Sequence, residues 1–157
     1  MSPLLGRLQR LLPAGWAGAL LCVGLIATPA PFATLATADA GRVVSRILAQ
    51  EAWLSLVMAV ILLLAERQRA RQVAEVGQGS VLSTDILLLL GTLFCTVAGY
   101  FAIQPMMPAA RAGQGPFTFG QLHLASATFF VIKGLLVLVL AWHSSAPRPQ
   151  LSPGPSS

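Results

Sequence analysis

Four long apolar segments constrain this chain more than any other feature of its sequence. They cover about residues 11–37, 43–66, 81–104 and 117–142, and each has the ~20 residues that a helix needs to cross a bilayer core. Backbone groups in lipid must be hydrogen-bonded within their own segment, so helices are the expected form. The sequence therefore predicts an all-α integral membrane bundle of four transmembrane helices over residues 11–143.

Composition supports a membrane protein with the lipid bilayer as its main partner. The chain is 55% hydrophobic and 10% charged, whereas soluble domains carry about 25% charged residues. The net charge is +5, but the basic residues lie in short clusters between the apolar segments and do not form one basic face. This distribution argues against a nucleic-acid partner and is typical of loops beside membrane helices.

The arginines predict the orientation, since cytoplasmic loops carry an excess of Lys and Arg. Six lie on the side of the two termini: Arg7, Arg10, Arg67, Arg69, Arg71 and Arg148. Three lie on the opposite side: Arg42, Arg46 and Arg111. We therefore expect residues 1–10 to be a cytoplasmic amino terminus, residues 66–83 a cytoplasmic loop, and residues 144–157 a disordered Pro/Ser-rich tail. The Arg-rich composition favours a bacterial inner membrane.

Proline and small residues indicate how the helices bend and pack. Pro29 and Pro31 predict a kink in the first helix, because proline removes a backbone donor and clashes with the preceding turn; both a simple bend and a functional hinge stay open. Small residues recur at every fourth position in two segments, and such spacing lets helices approach closely in lipid. These residues are Ala14, Gly18 and Cys22 in the first segment and Gly91, Cys95 and Gly99 in the third. We expect the two ladders to pack against each other, with both cysteines as packing residues.

Polar residues near the external ends of the second, third and fourth segments predict one cluster. Its members are Arg46, Glu51, Gln104, Gln121 and His123. A charge inside a bilayer is costly and usually faces the bundle interior, a partner or water. Glu51 and His123 lie at similar predicted depths, so we expect them to share a hydrogen bond. Lys133 lies deeper, and we expect its long stem to snorkel toward the cytoplasmic side or to meet a backbone carbonyl.

The cluster is compatible with three roles: structural anchoring, a solute or proton path, or a metal or haem site. Metal binding requires several converging His or Cys side chains, whereas these segments hold a single intramembrane histidine, His123. No nucleophile with a base, and no Gly-rich phosphate loop, stands out in the sequence. We therefore expect no enzymatic activity and no cofactor.

Two stretches of the sequence resemble a known family of small membrane proteins. The stretch TPAPFATLATADAGRVVSRILAQEAWLSLVMAVILLLAERQRAR and the later FTFGQLHLASATFF are similar to the transmembrane protein 205-like family. The positions that correspond are Pro29, Phe32, Gly41, Arg46, Phe119, His123 and Ser126. The resemblance implies a four-helix membrane domain whose bacterial members have no assigned biochemical activity.

The sequence thus favours a membrane protein that acts through interaction or membrane organisation, with a homo-oligomer or another membrane protein as partner. The alternative is a small oligomeric transporter or channel, with an external polar entrance around Arg46, Glu51 and His123. A dry cluster with its polar groups paired internally would favour anchoring. A water-filled path lined by Glu51 and His123 would favour transport.

Overall fold

Four helical spans make up the protein in the computed structural model, which describes the backbone of residues 3–75 and 83–145 and the side chains of residues 10–71 and 83–145. By length and composition, each span can cross a membrane. They run over Arg10–Thr34, Thr37–Arg71, Thr84–Arg111 and Phe119–Ser145, and are called the first to fourth spans below. The predicted all-α membrane bundle of four helices is confirmed.

The first span is interrupted near its prolines. An α-helix over Pro3–Cys22 gives way to a π-helical turn over Val23–Ala27, and a short helix follows over Ala30–Thr34. The Thr28 hydroxyl donates to the Gly24 carbonyl at 3.0 Å, which satisfies one carbonyl near the break. The predicted interruption at Pro29 and Pro31 is present, but the helical continuation ends at Thr34 and does not reach Thr37.

The second span is the longest element of the protein. Its α-helix covers Thr37–Glu75, 39 residues, or about 58 Å at a rise of ~1.5 Å per residue. It begins six residues before the predicted start at residue 43. The predicted cytoplasmic loop over residues 66–83 is wrong for its first ten residues, which continue the helix, while residues 76–82 lie outside the described residues. The helix is therefore much longer than the ~30 Å hydrocarbon core of a bilayer.

The third span begins at a helix cap and is divided into several pieces, whereas the fourth span is continuous. Ser83 caps the third span, since its side chain accepts a hydrogen bond from the Ile86 amide at 3.3 Å. The third span consists of helical pieces over Thr84–Thr96, Val97–Ala102, Gln104–Met106 and Met107–Arg111. The fourth span is one helix over Phe119–Ser145. It includes the first two residues of the predicted tail; residues 146–157 lie outside the described part of the chain.

Packing follows the spatial order second, third, fourth, first. The fourth span packs extensively against the third and the first, and the second packs mainly against the third. The first span contacts the second through each of its three pieces, Pro3–Cys22, Val23–Ala27 and Ala30–Thr34. The core consists of Trp16, Ala17, Leu20, Ala59, Leu62, Leu89, Val137 and Leu140. Many large apolar side chains face outward, as a lipid environment requires.

The small-residue ladders do not pack against each other, so that prediction is wrong. On the first span, Ala14, Gly18 and Cys22 are exposed on the outside of the bundle. On the third span, Gly91 lies against Leu136 and Gly99 lies against Phe129, both of the fourth span. The third-span ladder therefore admits the fourth helix, because a side chain at Gly99 would collide with the Cβ of Phe129 at 2.6 Å.

Candidate functional site

A buried ion pair joins the second and fourth spans across the bundle. The Lys133 ammonium donates to both carboxylate oxygens of Glu51, at 2.7 and 2.8 Å. The side chains are only 4% and 6% exposed. Both spans run in the same direction along the bundle, and each residue lies fourteen positions after the first residue of its span, Thr37 or Phe119. The pair therefore meets at one depth within the bundle.

Ser55 and Trp16 extend this pair to the first span. Ser55 lies one turn after Glu51 on the same helix face and donates its hydroxyl proton to the Glu51 carboxylate. The Trp16 indole N–H donates to the Ser55 hydroxyl oxygen at 3.1 Å. Trp16 and Ser55 are themselves 2% and 0% exposed. We call these four residues the internal network; it connects the first, second and fourth spans through hydrogen bonds.

The network satisfies its own charges. The Lys133 ammonium also lies 5.0 Å from the centre of the Phe130 ring, one turn earlier on its helix, a distance at which the ring face attracts a cation. A buried charge without a partner is strongly disfavoured, whereas here cation and anion neutralise each other. This arrangement can hold three helices in register. Neither Glu51 nor Lys133 could offer its charge to a ligand unless the ion pair between them were broken.

The predicted external cluster is not assembled. Glu51 bonds to Lys133 and Ser55, whereas the exposed His123 ring stacks on Phe119 with a centroid distance of 5.8 Å. The expected Glu51–His123 hydrogen bond is therefore wrong. The prediction that Lys133 snorkels or meets a backbone carbonyl is also wrong, because its ammonium turns inward to a carboxylate.

The other members of the predicted cluster are dispersed. Gln104 donates its side-chain amide to the Ser45 hydroxyl at 3.3 Å. Gln121 accepts from the Thr118 backbone amide at 2.9 Å, at the beginning of the fourth span. Arg46 is exposed and, within the residues whose side chains are described, makes no hydrogen bond or ion pair. Gln104 thus joins two spans and Gln121 lies at a helix start, and the three side chains form no common site.

A second polar cluster, not predicted from the sequence, lies at the opposite end of the bundle. We call it the Glu66 cluster; its members are Glu66, Arg69, Ser83, Asp85 and His143. Arg69 donates to the Glu66 carboxylate through two nitrogens, the closer at 2.6 Å. His143 Nδ1 lies 3.3 Å from an Asp85 oxygen. The i,i+3 spacing of Glu66 and Arg69 is the signal that could have indicated it.

A cleft opens between the first and second spans. It has a volume of about 200 Å³ and opens to the outside of the bundle. Its lining consists of Trp16, Ala19, Leu20, Val23, Ile47, Gln50, Glu51 and Leu54. The cleft therefore reaches the internal network from the side. Within the described part of the chain, no three His, Cys, Asp or Glu side chains converge in a way that could hold a metal ion.

Comparison with known proteins gives one match. A family model described as "Domain of unknown function (DUF4149)" matches residues 11–116. This stretch contains three members of the internal network, Trp16, Glu51 and Ser55, and ends before the fourth span with Lys133. No curated protein and no solved structure matches the chain.

Proposed function

The chain belongs to the DUF4149 family, and from the geometry of its buried network we propose that it acts without catalysis, through interaction or organisation within the membrane. The observation that carries the proposal is the pairing of Glu51 with Lys133 at 2.7 Å in the bundle interior. Two costly intramembrane charges satisfy each other and hold helices together, which is the arrangement expected of an anchor.

The outside of the bundle supports the same proposal. Phe94 on the third span and Leu124 on the fourth are 65% and 69% exposed. Such surfaces suit lipid, a second copy of the chain or another membrane protein, because association in lipid depends on close packing of helix surfaces. The Arg-rich composition supports a location in the bacterial inner membrane, and the six-to-three arginine distribution supports an orientation with both termini in the cytoplasm.

We propose a finer relationship within this family assignment. The matched residues 11–116 contain the whole of the first stretch that resembles the transmembrane protein 205-like family. We retain that finer relationship as part of the proposal, together with the absence of a cofactor.

A transport role would require the internal network to open. The alternative of a polar entrance depends on Glu51 being accessible together with Arg46 and His123, but the Glu51 side chain is 6% exposed and engaged by Lys133. A conducting protein would have to separate the pair, and a buried charge without its partner is strongly disfavoured. The anchoring role requires no such opening.

Photo-crosslinking in native membranes tests the interaction role. A photoreactive residue in place of exposed Phe94 is expected to give a discrete protein adduct, whereas the same residue in place of buried Val137 is the control that should give only intramolecular products. Adducts to lipid alone at Phe94 and at a second exposed site, Leu124, would contradict a protein partner on this surface.

A flux measurement tests the transport alternative. Purified protein is reconstituted into liposomes that contain a pH-sensitive dye, and a membrane potential is applied. The expected proton flux equals that of protein-free liposomes. Flux through the wild type that disappears on joint replacement of Glu51 by Leu and Lys133 by Met would overturn the anchoring role in favour of transport.

A further inference from the structure

The cleft between the first and second spans has the dimensions and lining of a binding site for hydrocarbon. Pockets for small molecules usually enclose about 300–1,000 Å³, whereas this cleft encloses about 200 Å³, which suits part of a chain rather than a whole compact ligand. Six of its eight lining residues are apolar. Its carboxylate, Glu51, is already bonded to Lys133 and Ser55, so the cleft offers no free charge to a polar ligand.

An exposed arginine, Arg46, lies close to this cleft. Arg46 precedes the lining residue Ile47 and is four residues before Gln50, so it lies one helical turn from Gln50 on the same face. Its side chain is exposed and has no hydrogen-bond or ion-pair partner among the described side chains. One turn further, Arg42 is already paired with Asp39. Among the described side chains, Arg46 is thus an arginine of this helix face that has no ion-pair partner, and it lies at the external end of the cleft.

Charge complementarity and the apolar lining together define the occupant. A guanidinium matches the geometry of phosphate oxygens and binds them with two hydrogen bonds. We propose that the cleft holds one acyl chain of an anionic phospholipid of the bilayer, whose headgroup phosphate binds Arg46. This inference rests on the proposed function only for the location of the bundle in a membrane.

Quenching of Trp16 fluorescence by brominated lipids tests the proposal directly. Trp53 and Trp142, which are 61% and 79% exposed, are replaced by Phe so that Trp16 is the sole indole. Trp16 lines the cleft but is 2% exposed, so bromine on an acyl chain reaches it efficiently only from within the cleft. The probes are phosphatidylglycerol and phosphatidylcholine with brominated acyl chains, each at the same mole fraction in unbrominated phosphatidylcholine vesicles.

We expect the anionic probe to occupy the cleft about fivefold more than the zwitterionic one, the preference that one basic residue near a membrane surface supplies. Arg46→Gln should abolish this preference, and the matched control Arg42→Gln should retain it. Ala19→Phe, which fills the cleft, should reduce quenching by both probes. Its control Ala14→Phe, on the exposed side of the same span, should not.

Three outcomes would overturn the proposal that the cleft binds a lipid. Equal quenching by the two probes would remove the headgroup selectivity, and a preference that survives Arg46→Gln would remove Arg46 from the site. Negligible quenching by both probes would mean that the cleft is closed or covered by another helix, such as one from a second copy. The comparison of the two probes in the single-tryptophan protein, without further substitutions, tests the proposal even if a variant fails to fold. The proton-flux measurement is independent of these results, so the lipid proposal and the proposed anchoring role can fail separately.

Discussion

Removing one member of the Glu51–Lys133 pair should destabilise the protein far more than removing both. The 2.7 Å separation of Nζ and Oε1 corresponds to an attraction of about 6 kcal/mol at an effective dielectric constant of ~20. Desolvation of each ion offsets this by several kcal/mol, so the net contribution of the intact pair is small. A single substitution, however, leaves the other charge buried without its partner.

The expected magnitudes follow from that asymmetry. Glu51→Leu and Lys133→Met should each lower the free energy of unfolding by about 3–5 kcal/mol. The double variant should fall within about 1 kcal/mol of the wild type or exceed it, since hydrophobic replacement of a buried pair is often neutral or stabilising. In the double variant, Ser55 keeps its bond from Trp16 and can donate to the backbone carbonyl of residue 51.

Unfolding by sodium dodecyl sulfate in mixed micelles, followed by circular dichroism, measures this double-mutant cycle. Asp39→Asn is the control; it breaks the exposed pair with Arg42 and should cost less than about 1 kcal/mol. Additive single and double effects would refute the reasoning, because independent sites add whereas contacting charges do not. Single variants as stable as the wild type would refute it equally.

Three other predictions concern topology, packing and capping. A reporter that is active only in the cytoplasm should be active when fused after Gln72 and silent when fused after Gly113; the reverse pattern would invert the orientation. Gly99→Ala should lower the stability to sodium dodecyl sulfate by about 1–3 kcal/mol through overpacking against the fourth span, whereas Gly18→Ala, with open space around it, should be neutral or stabilising. Equal effects at the two glycines would contradict the observed packing. Ser83→Ala should cost about 1 kcal/mol and Ser83→Gly only a few tenths, as expected for loss of a helix N-cap; a thermal shift assay that ranks them in the opposite order would exclude the cap.

The four spans are predictable because their length and apolar composition leave no alternative in lipid. The cap at Ser83 and the interruption at Pro29 are predictable for a similar reason, since each depends on the local chemistry of one turn. Both cases require information from only a few neighbouring residues. The fold class therefore follows from the sequence before any contact between helices is known.

The partner of Glu51 is not predicted because depth depends on where a helix begins. The polar sequence from Thr37 to Arg42 resembles a loop, yet it is helical, with Asp39 in the first turn where its charge favours the helix dipole. A start at residue 43 places Glu51 about six residues too near the helix end and level with His123. The true start at Thr37 places it level with Lys133.

The face of a helix can be predicted from spacing, but the neighbour that covers this face cannot. The Gly91–Cys95–Gly99 ladder does mark a packing face, and it is covered by the fourth span. The Ala14–Gly18–Cys22 ladder has the same spacing and faces outward. Only the spatial order of the spans distinguishes the two, and that order depends on long-range contacts such as the bond from Trp16 to Ser55.

The wide sequence separation of the ion pair has a consequence for biogenesis. Glu51 and Lys133 are 82 residues apart, and the second span emerges from the ribosome long before the fourth. Until Lys133 arrives, Glu51 lacks the cation that it pairs with in the finished bundle, and burial of its carboxylate in the bilayer is strongly disfavoured. Insertion of the fourth span supplies the countercharge, so the bundle reaches its final register only at this last step, and a nascent chain truncated before Lys133 should remain open to membrane quality control.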